Sequence, residues 1–314
     1  MRLSVIVVNW NSCADLRDCL GSLGRQTHDD LELIVVDNGS SDGSPEMVES
    51  EFSHVLQLKQ SENLGFGEAC NRGILASTGE WVALLNNDAV AEPNWAAALV
   101  ETATRVPADC GMIQSLMLYR SRPNIINSTG IELAFSGGGR DRDEGQTYVP
   151  TEQRFEEIFC PTAGAAAYRR SMLDGIKLTR GYFDSVHFLY YEDMDLGWRA
   201  RLAGWSAVYA PQAIVHHRWH GSSDRHGKSR LLVMANINRV RMLVKNASAQ
   251  FVVMTAPRTF KECFDVLRHG GIDGASSLLS ALRDSYAERR YVSALCRCTR
   301  TNIEKAWRAK PKPG

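Results

Sequence analysis

The feature that most constrains the fold of this chain is that apolar, strand-like runs alternate with segments of helical periodicity. Short strand-like runs and segments with a helical period follow one another, in the order Leu3–Val8, Cys13–Leu23, Leu31–Val36, Ser44–Phe52, Gly67–Ala76 and Trp81–Leu85. Strands that alternate with helices are joined by right-handed crossovers and form a parallel sheet. The sequence therefore predicts an α/β fold, with ligand-binding residues just beyond the carboxyl ends of the strands.

Charge and composition exclude several classes of protein. The 314 residues contain 36 Lys plus Arg and 36 Asp plus Glu, so the net charge is zero. No whole-chain excess of positive charge is present to neutralise phosphates, and we expect no nucleic-acid partner. At 44% hydrophobic residues the composition is that of a globular protein rather than a disordered one.

Cysteine usage and hydropathy indicate the compartment. The eight cysteines are scattered without a CxxC pair in a chain that is large enough to fold without disulfides, so we expect reduced thiols. No run of about 18 apolar residues occurs, as a spanning helix would require. We therefore expect a cytoplasmic protein whose membrane contact, if it has one, is peripheral, at the inner face of the cell membrane.

The C-terminal part is helical and ends in a basic segment. From Arg230 onward the spacing is helical, and residues 283–314 hold nine Lys or Arg against three acids, a local charge of +6. Such a segment can rest on anionic lipid headgroups. A solvated tail or a homodimer contact is an equally good interpretation, and the sequence does not separate them.

A first polar cluster follows the second apolar run. Residues 37–44 read Asp-Asn-Gly-Ser-Ser-Asp-Gly-Ser. Asp37 can accept hydrogen bonds from a nucleobase or a ribose hydroxyl, while the glycines let backbone approach a ligand. The alternative is an ordinary turn in which Asp42 or Ser44 caps the next helix.

A second cluster, Asn86-Asn87-Asp88, follows the third run. A carboxylate beside side-chain amides suits a hard divalent cation that takes oxygen ligands and bridges substrate phosphates. The same residues are also common in turns, and the sequence leaves the two interpretations even.

A third cluster places Glu192, Asp193 and Asp195 at the start of a helix, behind an aromatic run. Burial and neighbouring like charges can raise the pKa of such a carboxyl and produce a general base. Acids in a first helical turn also offset the helix dipole, and Arg199 and Arg201 can pair with them.

Three histidines, His216, His217 and His220, lie close together after a short apolar strand. A neutral imidazole can complete a coordination shell that a carboxylate begins, and Arg218 or Lys228 can neutralise phosphate. The spacing does not match HExxH or a zinc finger.

Taken in order, these segments resemble the inverting glycosyltransferases of family 2, and most closely their bacterial rhamnosyltransferase branch. The resemblance is carried by Ser4–Asn11, Val36–Ser44, Glu62–Gly73, Leu84–Asp88, Asn127–Gly130, Gly164–Arg170, Tyr191–Leu196 and Ala213–His217. It implies a GT-A fold with a mostly parallel central sheet that binds a nucleotide-sugar, followed by a helical C-terminal extension. A catalytic domain would span 1–228, with a nucleotide-binding half at about 1–115 and an acceptor-binding half at about 116–228. The basic helical extension would span 229–314.

The resemblance also implies roles for individual residues. Asp37 would contact the base, with Asn9 and Asn63 nearby, and Asp193 would be the catalytic base beside Glu192. Asp88 stands where the DxD motif of the family ends and would hold metal and diphosphate, whereas Asn86 replaces the first Asp of that motif. The remaining implied contacts are Asn87 with the donor, Arg169 and the turn at Gly164–Ala165 near donor and acceptor, and His217 with the metal or phosphate, His216 being the neighbouring alternative.

The function implied is transfer of a sugar, with inversion, from a nucleoside-diphosphate donor to a hydroxyl of a cell-surface glycan or lipid-linked acceptor. The donor favoured is dTDP-rhamnose, a UDP-sugar being the second choice, and the cofactor is Mg²⁺ or Mn²⁺. The glycines of 127–148 predict a mobile loop that would permit a lid. Two alternatives remain open, a sugar-nucleotide pyrophosphorylase and a non-catalytic nucleotide-sugar-binding relative.

Overall fold

The computed structural model describes residues 1–152, 155–218 and 227–309. The strands are β1 (Leu3–Asn9), β2 (Leu31–Asp37), β3 (Leu56–Lys59), β4 (Trp81–Asn86), β5 (Ala89–Ala91), β6 (Cys110–Tyr119), β7 (Arg122–Ser128), β8 (Ile131–Leu133), β9 (Gly139–Asp141), β10 (Glu156–Glu157), β11 (Ala165–Arg169) and β12 (Ser206–His217). The helices are α1 (Cys13–Leu23), α2 (Ser44–Glu51), α3 (Phe66–Ala76), α4 (Trp95–Arg105), α5 (Arg170–Ile176), α6 (Glu192–Leu202), α7 (Lys228–Asn246), α8 (Ala249–Leu295) and α9 (Arg300–Trp307).

One large sheet organises the structure. Its strand order is β10-β12-β6-β11-β4-β1-β2-β3, with β5 paired to β12 and β7 to β6. Along this path β12, β6, β4, β1, β2 and β3 run in one direction, whereas β11 and β10 run in the other. The predicted α/β fold with a mostly parallel central sheet and a helical C-terminal region is confirmed.

Alternation along the strands builds a core on each face of the sheet. Val5 and Val7 of β1 pack with α1, α2 and α4 on one face, whereas Ile6 packs with α3, α5 and α6 on the other. Successive strand side chains point to opposite faces, so a strand that is covered on both sides is apolar throughout. This explains the continuous apolar runs of the sequence, and α1 has the predicted bounds, Cys13–Leu23.

The stretch 127–146 differs from the loop that its glycines predict. It contains the end of β7 at Ser128 and the antiparallel pair β8 and β9. Asn127, Ser128 and Thr129 are buried, and the turn between β8 and β9 carries Gly137 at φ 77°. The prediction of a loop is therefore wrong for these strands, because short pairings on either side of a glycine turn satisfy the backbone.

The C-terminal helices share a core with the rest of the chain. Met242 of α7, Phe251 of α8 and Ile303 of α9 pack with Leu133 and Trp198 of the preceding part. Helix α8 bends at Gly271, whose φ of 55° and ψ of −142° are not helical, into an arm at 249–270 and an arm at 272–295. Among the described residues, no helix has the length and apolarity needed to cross a membrane.

A buried ionic network joins α7 to α6. Lys245 of α7 is fully buried, contacts the Asp184 carboxylate and lies 3.1 Å from Oδ2 of Asp195. Nε of Arg199 donates to the same Oδ2 at 3.2 Å, and Nδ2 of Asn246 donates to Oδ1 of Asp195 at 2.8 Å. Burial acts to raise the pKa of Asp195, but Lys245 and Arg199 outweigh it and lower that pKa. Asp195 is thus a structural carboxylate.

We predict that Lys245→Met destabilises the protein by about 3 to 5 kcal/mol, because it removes the buried cation that Asp184 and Asp195 share. Chemical denaturation followed by circular dichroism measures the change. Lys59→Met is the matched control, since Lys59 pairs with Glu49 on the surface and both side chains are about half exposed. An equal effect of the two substitutions would contradict the structural role of Lys245.

Candidate active site

A pocket lies at the carboxyl edge of the sheet, where β1 and β4 end. It encloses about 300 Å³. Its wall includes residues from several of the segments that the sequence singled out, namely Asn38, Asn63, Asn86, Asn87, Asp88, Asn127, Ser128, Asp141, Thr162, Gly164, Tyr190, Glu192, Asp193 and His217.

Asn9 and Asp37 lie behind this wall. Both side chains are buried, and Nδ2 of Asn9 donates to Oδ1 of Asp37 at 3.4 Å and to Oγ of Ser40 at 3.2 Å. Nδ2 of Asn87 in turn donates to Oδ1 of Asn9 at 2.8 Å. The two residues therefore brace Asn87, and their predicted contact with a nucleotide base stays a prediction.

Asn38 and Asn63 form the next part of the wall. Nδ2 of Asn38 donates to Oδ1 of Asn63 at 2.9 Å, and Oδ1 of Asn38 accepts from the backbone N–H of Leu64 at 2.9 Å. Gly65 follows with φ 85°, and an added Cβ would lie 2.6 Å from the carbonyl oxygen of Phe188. Only glycine fits there, and the close approach brings the start of α3 against the Phe188 segment.

The end of β4 meets the end of β12. Because β12 pairs with β5 in a register that sets His217 opposite Ala89, the imidazole lies over the Asn86-Asn87-Asp88 turn. Nε2 of His217 is 3.2 Å from Nδ2 of Asn86 and 3.0 Å from Oδ1 of Asp88. His216 points to the other side of the strand, where Nε2 lies 3.1 Å from Glu92. His217 is therefore the histidine of the pocket.

The Asp88–His217 pair has the chemistry of a cation site. Nδ1 of His217 lies 2.8 Å from Oδ1 of Asn127, an acceptor, so Nδ1 carries a proton and Nε2 is directed at Asp88. Oδ1 of Asp88 is buried and has no hydrogen bond of good geometry. A separation of 3.0 Å between Nε2 of His217 and Oδ1 of Asp88 matches adjacent ligands of one metal at bonds of about 2.1 Å.

The charge state of Asp88 suits the same role. Burial acts to raise the pKa of this carboxyl, but the contact with His217 and the charge of Arg218 outweigh burial and lower it. Within the described residues, His, Cys, Asp and Glu nowhere gather in threes as a metal-binding group. A metal held by Asp88 and His217 would thus take its other ligands from substrate and water. His220 and the Lys228 side chain lie outside the described residues.

Glu192 and Asp193 enter the pocket from the start of α6. Oδ1 of Asp193 accepts from the backbone N–H of Met194 at 2.7 Å, and Oδ2 accepts from that of Ala163 at 3.3 Å. Burial raises the pKa of Asp193 despite these bonds. The pKa of Glu192 is raised well above its usual range, first by burial and then by the charge of Asp193.

Backbone strain lies beside these carboxylates. Tyr190 and Tyr191 have φ of 72° and 70°, a left-handed conformation that is unfavourable for aromatic residues. Such conformations persist where the surrounding structure imposes them, often at functional sites. Nδ2 of Asn238 on α7 donates to the carbonyl oxygens of Leu189 at 3.0 Å and Tyr190 at 3.2 Å, which holds this part of the pocket wall.

Asp141 is a pocket residue that the sequence reasoning did not identify. It lies at the end of β9, and burial, aided by the charges of Asp193 and Glu144, raises its pKa to about 6. The sequence showed only an acid in a charged, glycine-rich stretch. Nothing in that pattern indicated the pairing of β8 with β9 that carries Asp141 to the pocket.

The predicted place of Arg169 near the donor is wrong. Strand β11 runs antiparallel to β4, so Ala165 is opposite Leu85 near the pocket, whereas Arg169 is opposite Trp81 at the far end of the strand. There its guanidinium stacks over the Trp81 ring at 4.7 Å and donates to the carbonyl oxygen of Cys110 at 2.9 Å. The turn at Gly164 does line the pocket.

The sheet order, with a polar pocket at its carboxyl edge, is that of the GT-A fold, the fold of the solved glycosyltransferases to which this chain is similar. The fold is similar to that of a mannosyltransferase from Pyrobaculum calidifontis, solved with GDP-Man and Mn²⁺, at 15% identity and a TM-score of 0.54 over 98% of this chain and 87% of that one. It is also similar to GalNAc-T7, solved with UDP, GalNAc and Mn²⁺, at 16% identity and a TM-score of 0.64 over 99% of this chain and 59% of that one.

The sequence comparisons show the family. The model described as "Glycosyl transferase family 2" matches residues 4–176, and the chain belongs to this family. It is 30% identical over 232 residues to the putative glycosyltransferase EpsH of Bacillus subtilis, covering 70% of this chain and 62% of that protein, less than two thirds of its length. It is 31% identical over 246 residues to N-acetylglucosaminyl-diphospho-decaprenol L-rhamnosyltransferase of Mycobacterium tuberculosis, covering 70% of this chain and 77% of that protein.

We predict that Asp141→Asn stabilises the metal-free protein at pH 7.5, and by only about a third as much at pH 4.5. A carboxyl whose pKa is 3.8 when unfolded and about 6 when folded lowers the free energy of unfolding by up to about 3 kcal/mol above pH 6. This penalty shrinks as the pH falls from 6 and is lost below about pH 4. Urea unfolding at both pH values measures the difference. Asp18→Asn, at a half-exposed carboxyl, is the control. A gain from Asp141→Asn that is equal at both pH values would contradict the raised pKa.

Proposed function

We propose that this glycosyltransferase moves a sugar, with inversion, from a nucleoside-diphosphate donor to a hydroxyl, using Asp193 as general base. The observation that carries the proposal is that Asp193 and the Asp88–His217 pair face one pocket at the carboxyl edge of the sheet. One end of this pocket can hold a diphosphate, and the other can take a proton from an acceptor. Transfer with inversion requires both groups in one site.

The donor would lie along the asparagine-lined wall. Asn63 and Asn87 offer amide groups to the nucleotide, and Asn38 adds a third. Asp37 and Asn9 support this wall from behind, and either a direct contact with the base or a bracing role through Asn87 fits their hydrogen bonds. The diphosphate of the donor is negatively charged and so is the Asp88 carboxylate, so the diphosphate would approach Asp88 only together with a cation.

Asp88 and His217 would hold the cation, Mg²⁺ or Mn²⁺. When bound, it would offset the negative charge that develops on the diphosphate as it departs. Asn86 stands where a second carboxylate occurs in the family motif, and its amide lies beside Nε2 of His217. His217, which reaches the pocket from β12, would thus serve as the second ligand in place of that carboxylate.

Asp193 would act on the acceptor. Its backbone hydrogen bonds fix the carboxylate, and its raised pKa makes it a stronger base than an ordinary Asp. The acceptor oxygen gives its proton to Asp193 and forms a bond to the anomeric carbon, while the bond from that carbon to the diphosphate oxygen breaks. Burial and the charge of Asp193 raise the pKa of Glu192 as well, so the two carboxyls titrate as a pair in which backbone hydrogen bonds fix Asp193.

The finer specificity is a proposal that rests on the relatives. The Mycobacterium tuberculosis relative is named as an L-rhamnosyltransferase that acts on a diphospho-decaprenol acceptor. We favour dTDP-rhamnose over a UDP-sugar as donor, and a cell-surface glycan or lipid-linked acceptor. The division into a catalytic part at 1–228 and a helical extension at 229–314 is proposed with it.

We predict that Asp193→Asn lowers kcat by about 10²- to 10⁴-fold while nucleotide binding is unchanged, because Asn keeps the shape of the side chain but cannot take a proton. Nucleoside-diphosphate release in the presence of acceptor measures kcat, and calorimetry measures binding. For the unmodified protein kcat/KM should rise with pH through the raised pKa of Asp193. Full turnover by the variant would contradict the role of Asp193 and favour the non-catalytic alternative or another base.

We predict that a nucleoside diphosphate stabilises the protein more with Mn²⁺ than without it, and that His217→Ala removes this difference. A thermal-shift panel of dTDP, UDP, GDP and CDP, each with and without Mn²⁺, also reports the base preference. The matched control is His216→Ala, on the neighbouring residue that faces Glu92. The greatest shift is expected with dTDP; a UDP preference would discard rhamnose, and an equal Mn²⁺ effect in both histidine variants would contradict the metal site.

A further inference from the structure

Both arms of α8 carry large apolar side chains on the outside of the molecule. On the first arm Val253 is 73%, Phe260 75% and Phe264 63% exposed, and Leu267 continues the row. On the second arm the exposed residues are Ile272 at 88%, Leu279 at 68%, Tyr286 at 66% and Leu282 at 40%. Monomeric proteins seldom expose so many large apolar side chains on one element without an interaction partner.

The spacing gathers these residues into one stripe on each arm. Phe260, Phe264 and Leu267 are separated by four and three residues, and Ile272, Leu279 and Tyr286 by seven, so each set lies on one side of its helix. The packed sides lie opposite, since Glu262, Val266, Ala281, Ser285 and Val292 are buried. The arms are thus apolar on their outer side as well as where they pack.

The inner sides of the arms are already covered. Val266 of the first arm and Ala281 of the second pack with Ile237 of α7, and an added Cβ at Gly274 would lie 2.8 Å from the carbonyl oxygen of Val266. The arms fold back on each other at Gly271 and against α7. The two arms thus form a helical hairpin, the α8 hairpin. The outer stripes run along both arms and reach Ile272 at the bend, and they take no part in the packing between the arms and α7.

Positive charge predominates among the exposed side chains beside the stripes. The exposed basic side chains along 251–291 are Arg258, Lys261, Arg268, Arg283 and Arg290, whereas Asp273 is the exposed acid of that segment. Of the other acids, Glu262 and Glu288 are buried, and Asp265 and Asp284 are half-buried. Arg258 and Arg283 pair with Glu262 and Asp284, so Lys261, Arg268 and Arg290 carry most of the charge of this border. An apolar stripe with a basic border matches the chemistry of an anionic membrane surface.

The two arms of α8 are also connected to the pocket wall, one contact being direct and the other through α7. Nη1 of Arg258 on the first arm donates to Oγ of Ser136 in the turn between β8 and β9. Helix α7, against which the arms pack, holds the carbonyl oxygens of Leu189 and Tyr190 through Asn238. A surface that contacts the α8 hairpin is therefore linked mechanically to two segments next to the pocket.

We propose that the outer stripes of α8 form an interfacial docking surface for a bilayer that contains anionic lipids. The apolar side chains enter the boundary between headgroups and acyl chains, and the basic side chains contact the headgroup phosphates. A second copy of the chain is the less favourable occupant, because it would bring two like-charged borders together. The proposal assigns lipid contact to 253–290, upstream of the basic C-terminal end, of which Lys310 and Lys312 lie outside the described residues.

Vesicle co-sedimentation of the full chain, without donor or acceptor, tests the proposal. Vesicles of phosphatidylcholine are compared with vesicles that also contain phosphatidylglycerol, and binding is expected to be stronger to the anionic vesicles. Phe260→Ser with Phe264→Ser should lower the partition coefficient about tenfold or more. Lys261→Gln with Arg268→Gln should lower it about 30-fold on anionic vesicles only, at about fivefold for each charge.

The matched controls lie outside α8. Leu75→Ser replaces a 61% exposed leucine of α3, and Arg17→Gln with Arg120→Gln replaces two exposed arginines. Neither should change vesicle binding, and circular dichroism checks that every variant is folded. Asp193→Asn should bind vesicles normally, so failure of the docking surface is distinguished from failure of the proposed chemistry.

Three results would overturn the proposal. The first is an absence of vesicle binding by the unmodified chain, and the second is binding that the Phe260 and Phe264 substitutions leave unchanged. The third is a dimer in sedimentation velocity that the same double substitution dissociates, since the stripe would then be an interface between two copies.

Discussion

The site depends on the buried carboxylate of Asp195 and the cations that surround it. Lys245 from α7 and Arg199 from α6 meet at this group, and Asn246 completes its hydrogen bonds. Two residues earlier in the same helix Asp193 faces the opposite way, into the pocket, because positions two apart in a helix differ by about 200°. Fixing Asp195 in the core thus fixes where Asp193 points, and it joins the C-terminal helix α7 to the helix that carries Asp193.

The other half of the site arises from strand direction. Strands β4 and β12 run the same way in the sheet, so Asp88, just after β4, and His217, at the end of β12, reach the same edge although 129 positions separate them in the sequence. The β5 pairing sets the register that selects His217 over His216. Asn127, at the end of β7, then fixes the protonated nitrogen of the imidazole. Asp88 and His217 are therefore brought together by strand pairing rather than by a flexible loop.

The sequence predicted those features that follow from a local pattern combined with a general rule of folding. Apolar runs and helical spacing predicted the α/β order, and the carboxyl-edge rule pointed to Asp88. The family resemblance implied roles for Asp193 and His217, and the structure brings all three residues to one pocket. Prediction from the sequence failed where the outcome depends on strand pairing: Arg169 looked close to Gly164 in the sequence, but the reversed direction of β11 carries it to the far end of the sheet. Asp141 was missed for the same reason, because no periodicity in a glycine-rich stretch announces the β8–β9 pair.

The central claim is that one pocket places a departing diphosphate and an Asp193-activated oxygen on opposite faces of the anomeric carbon. The most direct measurement is proton NMR of the anomeric centre in the first product formed from the nucleotide-sugar that the protein binds, with water as acceptor and before mutarotation. The account predicts that the first sugar released has the inverted configuration. A first product that retains the configuration of the donor would contradict it, because retention requires chemistry on the same face as the leaving group.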